Sequence, residues 1–224
     1  MMKVIIFGIM LIIINQTISF SIENKNYTLL QRGFNRDLKQ FLEYDLRSIM
    51  RNGVPVLDPY YHKQQFFEYD DSKLNFEGTF YEFNIKHLSN YDVEYSNVNL
   101  WTRKVDVNLY FPVITSEGFY DLKFIYQDDM YSGNGEYKAI ASNLKLYIQA
   151  WVSFWGGLHV KSLTTKISLE KYDFSATNNY LGSNQTMLWC KQVSELVPKI
   201  IKEDHDALSS YISKKLIVLI NDQL

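Results

Sequence analysis

Between Leu188 and Leu219 the chain carries no glycine and a single proline, Pro198. Apolar residues recur there at helical spacing. Val193, Val197 and Ile200 mark one stripe. Beyond Pro198 the stripe moves to Ile201, Leu208, Ile212, Leu216 and Leu219. As helix, this segment would extend on the order of 45–50 Å, longer than a small core needs. A rod so apolar along one side has to be sheathed. Pro198 marks either a kink within one helix or a boundary between two. His205 falls on the second stripe, between Ile201 and Leu208. It reads either as a hydrogen-bonded, half-buried histidine or as a polar contact for the head of an apolar ligand.

The candidate sheath lies upstream. From about Leu74 to Leu169 the chain reads as strands rich in Tyr and Phe. "LKLYIQAWVSF" puts Leu144, Leu146, Ile148, Ala150, Val152 and Phe154 on one face. Val105, Val107, Leu109, Phe111 and Val113 alternate in the same way, as do Leu163, Thr165, Ile167 and Leu169. "SGNGEY" and "WGGL" read as turns or bulges. Strands apolar on one face point to an antiparallel sheet. Before it, "FNRDLKQFLEYDLRSIMRNG" reads as an amphipathic helix with Leu38, Leu42, Leu46 and Ile49 on its inner face. Asn35 would cap its start, and Glu43 and Arg47 would pair on its outer face. Gly53, in a left-handed conformation, would end it, and Pro55 and Pro59 would then impose a stiff extended connector.

The N-terminus reads as a leader. Lys3 is followed by the apolar "VIIFGIMLIII", which is too short to span a bilayer, and Thr17 and Ser19 suit a signal-peptidase site. Residues 1–19 are therefore read as a signal peptide and 20–224 as one secreted domain of roughly 205 residues, long enough for a sizeable core. Losing Lys3 takes the net charge from −2 to −3. A slightly acidic chain argues against nucleic acid and anionic lipid as partners, and no other segment has the apolar length for stable membrane insertion. Cys190 is the only cysteine, so no intrachain disulfide forms; its setting beside Trp189 in a helical pattern favours burial. Asn26 and Asn184 lie in glycosylation sequons.

No catalytic motif emerges. A nucleophile elbow, a phosphate loop and a His-Glu-x-x-His metal helix are all absent from the sequence. The four histidines are scattered without metal-ligand spacing, so no metal, cofactor or enzymatic activity is expected.

Four segments, in this order, resemble the insect takeout and juvenile-hormone-binding-protein family of tubular lipid-binding proteins. They are "GVPVLDP" after the first helix, "HLSNYDVEYSNVNL", "GNGEYKAIASNLKLYIQAWV" and "SELVPKIIKE". Two departures stand out. The family's N-terminal cysteine pair has no counterpart around Arg36 and Asp37, and His87 stands where the family prefers glycine. The resemblance implies an α+β fold: a strongly curved antiparallel sheet wrapped around a long C-terminal helix, with a shorter N-terminal helix. It also implies a hydrophobic tunnel between helix and sheet that holds an apolar ligand such as a terpenoid or fatty-acyl lipid. The expected ligand contacts are Leu42, Leu46, Ile49, Leu144, Leu146, Ile148, Val197, Ile201, His205, Leu208 and Ile212. A filled core has almost the same residue pattern. The alternative is thus a secreted, non-enzymatic interaction protein that binds a protein partner or receptor through an aromatic outer face.

Overall fold

The structure, a computed structural model, describes residues 27–54, 56–70, 74–126, 129–153 and 159–221. The expected signal peptide, Asn26, Pro55, Phe154 and the "WGGL" turn lie outside the described residues.

Helix α1 spans Tyr27–Gln40, a π-helical turn spans Phe41–Asp45 and α2 spans Leu46–Asn52. The buried positions are Phe34, Leu38, Phe41, Leu42, Leu46 and Met50. A strict step of four drifts around an ordinary α-helix. The wider π turn, in which the Leu46 N–H reaches the Phe41 carbonyl, absorbs that drift. It also corrects the expected inner face: Ile49 is 41% exposed and Met50 is 0% exposed. Two other expectations change. Asn35 lies inside α1 rather than at its start, donating from Nδ2 to Asn97 Oδ1 at 3.1 Å and accepting the Val98 N–H. Glu43 pairs with Lys39 at 3.7 Å, while the Arg47 guanidinium sits over the Tyr91 ring and donates to the Tyr91 carbonyl.

Gly53 ends α2 in extended geometry (φ −76°, ψ 176°), not in the left-handed conformation expected. Glycine is still required, because a Cβ there would lie 2.4 Å from the Ile49 carbonyl oxygen. The connector is no straight arm. It folds back so that the Leu57 and Asp58 amides both donate to the Met50 carbonyl, at 2.8 and 2.9 Å. The Asp58 carboxylate then accepts the His87 and Ser89 amides, each at 2.8 Å, and the Ser89 hydroxyl. "VLDP" thus ties the first helix to the loop before the third strand.

Six antiparallel strands follow: β1 Tyr60–Asp70, β2 Leu74–Lys86, β3 Asp92–Asn99, β4 Lys104–Tyr126, β5 Asp129–Ser153 and β6 His159–Ala176. They are ordered β1-β2-β4-β5-β6, and β3 pairs with the first half of β4. Strands as long as β4 and β5, 23 and 25 residues, must bend to enclose anything. They do so together. The inward face changes parity between Phe111 and Ile114 in β4, between Ala141 and Leu144 in β5, and between Ile167 and Tyr172 in β6. In β2 it changes around Glu82 (φ 47°); in β5 the break sits at Asn143 (φ 56°). Val113, expected inside, is consequently 38% exposed. "SGNGEY" is no turn but part of β5, and Gly135 (φ 153°) leaves room for the Thr177 carbonyl.

The bend divides the interior in two. One cluster gathers α1, α2, β3 and the adjoining halves of β4, β5 and β6 around Leu42, Leu46, Met50, Leu109 and Leu216, all with 0% exposure. The other joins the remaining halves of the sheet to helix α3, Ser183–Glu203. Helix α4, His205–Asn221, continues from α3. The C-terminal rod is therefore two helices. Helix α3 runs through Pro198, and the break falls at Asp204 (φ −109°, ψ 25°), inside the polar "KEDHD" run.

Candidate functional site

A cavity of about 590 Å³ lies between the α3-side half of the curved sheet and the two C-terminal helices. Each wall follows from the strand parity beyond the bend. β2 supplies Phe76, Phe80, Phe83 and Ile85; β4 supplies Ile114, Ser116, Leu122 and Phe124. β5 contributes Tyr137, Ala139 and Ala141, and β6 contributes Tyr172 and Phe174. The opposite wall is Trp189, Val193, Leu196, Val197, Ile200 and Ile201 of α3 with Leu208, Tyr211 and Ile212 of α4. Ala139 and Ala141 leave space where their neighbours carry large side chains.

Aromatic rings stiffen this half. Trp189 stacks on Tyr120 with centroids 5.7 Å apart, and Phe174 meets Trp189 edge-on at 5.4 Å. Phe80 meets Tyr137 edge-on at 5.4 Å. Polar chemistry within the walls is sparse. The Ser116 and Tyr137 hydroxyls lie 2.7 Å apart in a mutual hydrogen bond. Such a pair uses one of its two hydroxyl hydrogens and leaves the other for a ligand oxygen. Burial pushes the Tyr137 and Tyr172 phenols up, so both are neutral donors at physiological pH. The Trp189 indole N–H is buried with no hydrogen-bond partner among the described residues.

The cavity meets solvent along the β1 side. Phe67 sits on the inward face of β1 yet is 45% exposed, and Glu68 beside it is exposed. Across this rim the Tyr211 hydroxyl donates to the Glu68 carbonyl at 3.2 Å. The opposite edge of the sheet is closed by both helices. Ser194 Oγ accepts the Phe174 N–H of β6 at 2.9 Å. Ser213 Oγ accepts the Thr165 N–H at 3.0 Å, and the Thr165 hydroxyl donates to the Ser209 carbonyl at 3.1 Å.

Of the residues expected from sequence, Val197, Ile201, Leu208 and Ile212 line this cavity. Leu42, Leu46, Leu146 and Ile148 are buried in the cluster beneath the first two helices, and Leu144 packs against it. Ile49 faces solvent. His205 lies off the lining, with Nδ1 3.0 Å from the Asp206 carboxylate. Asn184 is exposed in the first turn of α3. Cys190 is a half-buried free thiol whose Sγ lies 3.8 Å from the Ala176 carbonyl. Sequence reasoning missed the β2 phenylalanines, Ser116, Tyr137, Phe174 and Trp189. The available signal was the alternation of small and large residues in Tyr137, Ala139 and Ala141.

Among the described residues there is no group of three His, Cys, Asp or Glu that could hold a metal ion. No helix among them is long and apolar enough to cross a membrane. Among curated proteins, none matches this chain. The fold is similar to a solved structure, Takeout 1 of Epiphyas postvittana, at a TM-score of 0.61 and 15% identity over 84% of this chain and 92% of that one. A second solved structure, lipopolysaccharide binding protein, gives a TM-score of 0.28 at 12% identity over 67% of this chain and 34% of that one. The profile of the family described as haemolymph juvenile hormone binding protein (JHBP) matches residues 15–224. With that match over nearly its whole length, the chain belongs to the haemolymph juvenile hormone binding protein family.

Proposed function

We propose that this protein is a secreted carrier that encloses one small apolar molecule between its curved sheet and its C-terminal helices. The observation that carries this reading is the cavity of about 590 Å³ with almost wholly apolar walls. That volume falls within the roughly 300–1,000 Å³ of small-molecule sites. A chain of about ten buried methylenes gains roughly 8 kcal/mol. Aromatic walls and a hydroxyl pair add to that before the entropy of association is subtracted. The ligand class is a terpenoid or single-chain lipid with one oxygen that meets Ser116 and Tyr137. Val197, Ile201, Leu208 and Ile212 contact its apolar body. The cavity weighs against the filled-core alternative. Residues 1–19 direct secretion, residues 20–224 form the working unit, and Asn26 and Asn184 carry glycans.

The test is mass spectrometry of protein purified from a secreting eukaryotic host, followed by titration of the delipidated protein with an apolar fluorophore. A co-purified lipid or saturable binding at micromolar concentration or below supports the reading; neither lipid nor probe binding overturns it. In the same assay Tyr137→Phe is expected to weaken an oxygen-bearing ligand about fivefold, the worth of one neutral hydrogen bond. Its affinity for a plain hydrocarbon should be unchanged.

A further inference from the structure

The cavity stops at the bend of the sheet. Three isoleucines belong to both halves of the interior: Ile85 of β2, Ile114 of β4 and Ile212 of α4 line the cavity and also pack against the cluster beneath the first two helices. Ile114 lies opposite Ala141 in the β4–β5 ladder, and Ile85 lies opposite Ser116 in the β2–β4 ladder. They therefore sit beside the level at which the inward parity changes. Beyond them come Leu46, Leu109 and Leu216, all with 0% exposure, and none of the three lines the cavity.

We infer that Ile85, Ile114 and Ile212 form a partition that sets the maximum length of ligand the protein accepts. This proposal rests on the carrier reading and deepens it. A chain entering from the β1 side extends through the aromatic half until its tip meets the three isoleucines. Each added methylene up to that point removes more apolar surface from water. One methylene further must bend back, leave its end in solvent or displace close-packed side chains. The accepted class is a single-chain amphiphile of limited length. A longer chain is refused by the partition, with no part played by charge.

The test uses delipidated full-length protein and the primary alkanols from octanol to octadecanol, measured by displacement of a bound apolar fluorophore. In the wild type, Kd should fall about fourfold per methylene, up to a break beyond which it levels or rises. Ile114→Ala combined with Ile212→Ala removes side-chain bulk from the partition and should move the break by about three carbons toward longer chains. Ile212→Phe should move it toward shorter ones. Ile114→Val, a change small enough to preserve folding, should move it by about one carbon in the first direction. If the wild type binds neither the fluorophore nor any alkanol, the carrier reading fails and the proposal falls with it; if it binds the fluorophore but no alkanol, the partition is wrong and the carrier reading stands. If the wild type binds with a clear break that stays put in Ile114→Val and Ile212→Phe, the partition is wrong and the carrier reading stands.

Discussion

His87 adopts φ 70° and donates its backbone N–H to Asp58. That conformation suits glycine, the residue expected at this position from the family resemblance. A side chain in the left-handed region costs roughly 1–2 kcal/mol, and the exposed imidazole is not buried in return. His87→Gly should therefore raise stability by about 1 kcal/mol, after allowing for the greater freedom of glycine in the unfolded chain; a urea melt reads the change. Asp58 is the opposite case. Its carboxylate accepts two amides and a hydroxyl across the junction of helix and sheet. Asp58→Ala leaves those donors without their acceptor and should cost about 3 kcal/mol in the same melt. "LDP" was legible as part of a stiff connector after the helix. The carboxylate's work was not, because its partners lie some thirty residues away and no local spacing points to them.

The helices and strands were legible where one period governs a whole segment. Leu146, Ile148, Ala150 and Val152 are buried as their alternation implied. The reading failed where the chain inserts an irregularity. A π turn inside the first helix moves the inner position from Ile49 to Met50, and Asn143 turns β5 over. Neither leaves a mark in hydrophobic periodicity, since each joins two segments that are regular on their own. Deleting Tyr44, an exposed residue of the π turn, should restore ordinary α geometry there. Because the turn holds one residue more than an α-helix needs, α2 should keep its orientation, with Leu46 and Met50 still buried. The expected change is under about 1 kcal/mol, again measured by denaturant, against the roughly 3 kcal/mol that exposing one large apolar side chain would cost. The break between α3 and α4 follows a similar lesson. Proline is the stronger local signal, yet the rod parts at Asp204, where a polar run has little apolar packing to lose.

For the molecule as a whole, tyrosine governs the response to alkali. Burial pushes Tyr91 and Tyr147 up to about 12, Tyr147 helped by its bond to Asp106. Burial, with Asp204 and Glu203 nearby, does the same for Tyr126. An unfolded tyrosine ionises at 10.0. The folded values lie above it, so this stabilisation is complete below about pH 10 and disappears as the pH rises toward about 12. Denaturant melts should agree between about pH 7 and about pH 9 and shift to lower midpoints from about pH 10 upward. The curved sheet and its C-terminal rod were legible at this scale, but the position of the cavity was not. A wall around a void and a wall around a filled core use the same apolar residues. The difference arises from parity changes and from two alanines whose neighbours do not fill the space. The edge of β6 is where the molecule is fastened. Ser194 and Ser213 take up strand amides that would otherwise face outward, mooring both helices along one margin of the sheet. Among the described residues no strand other than β6 runs close to either helix backbone. Parting the helices from the β1 rim would therefore break the Tyr211–Glu68 hydrogen bond and no rung of the β-ladder.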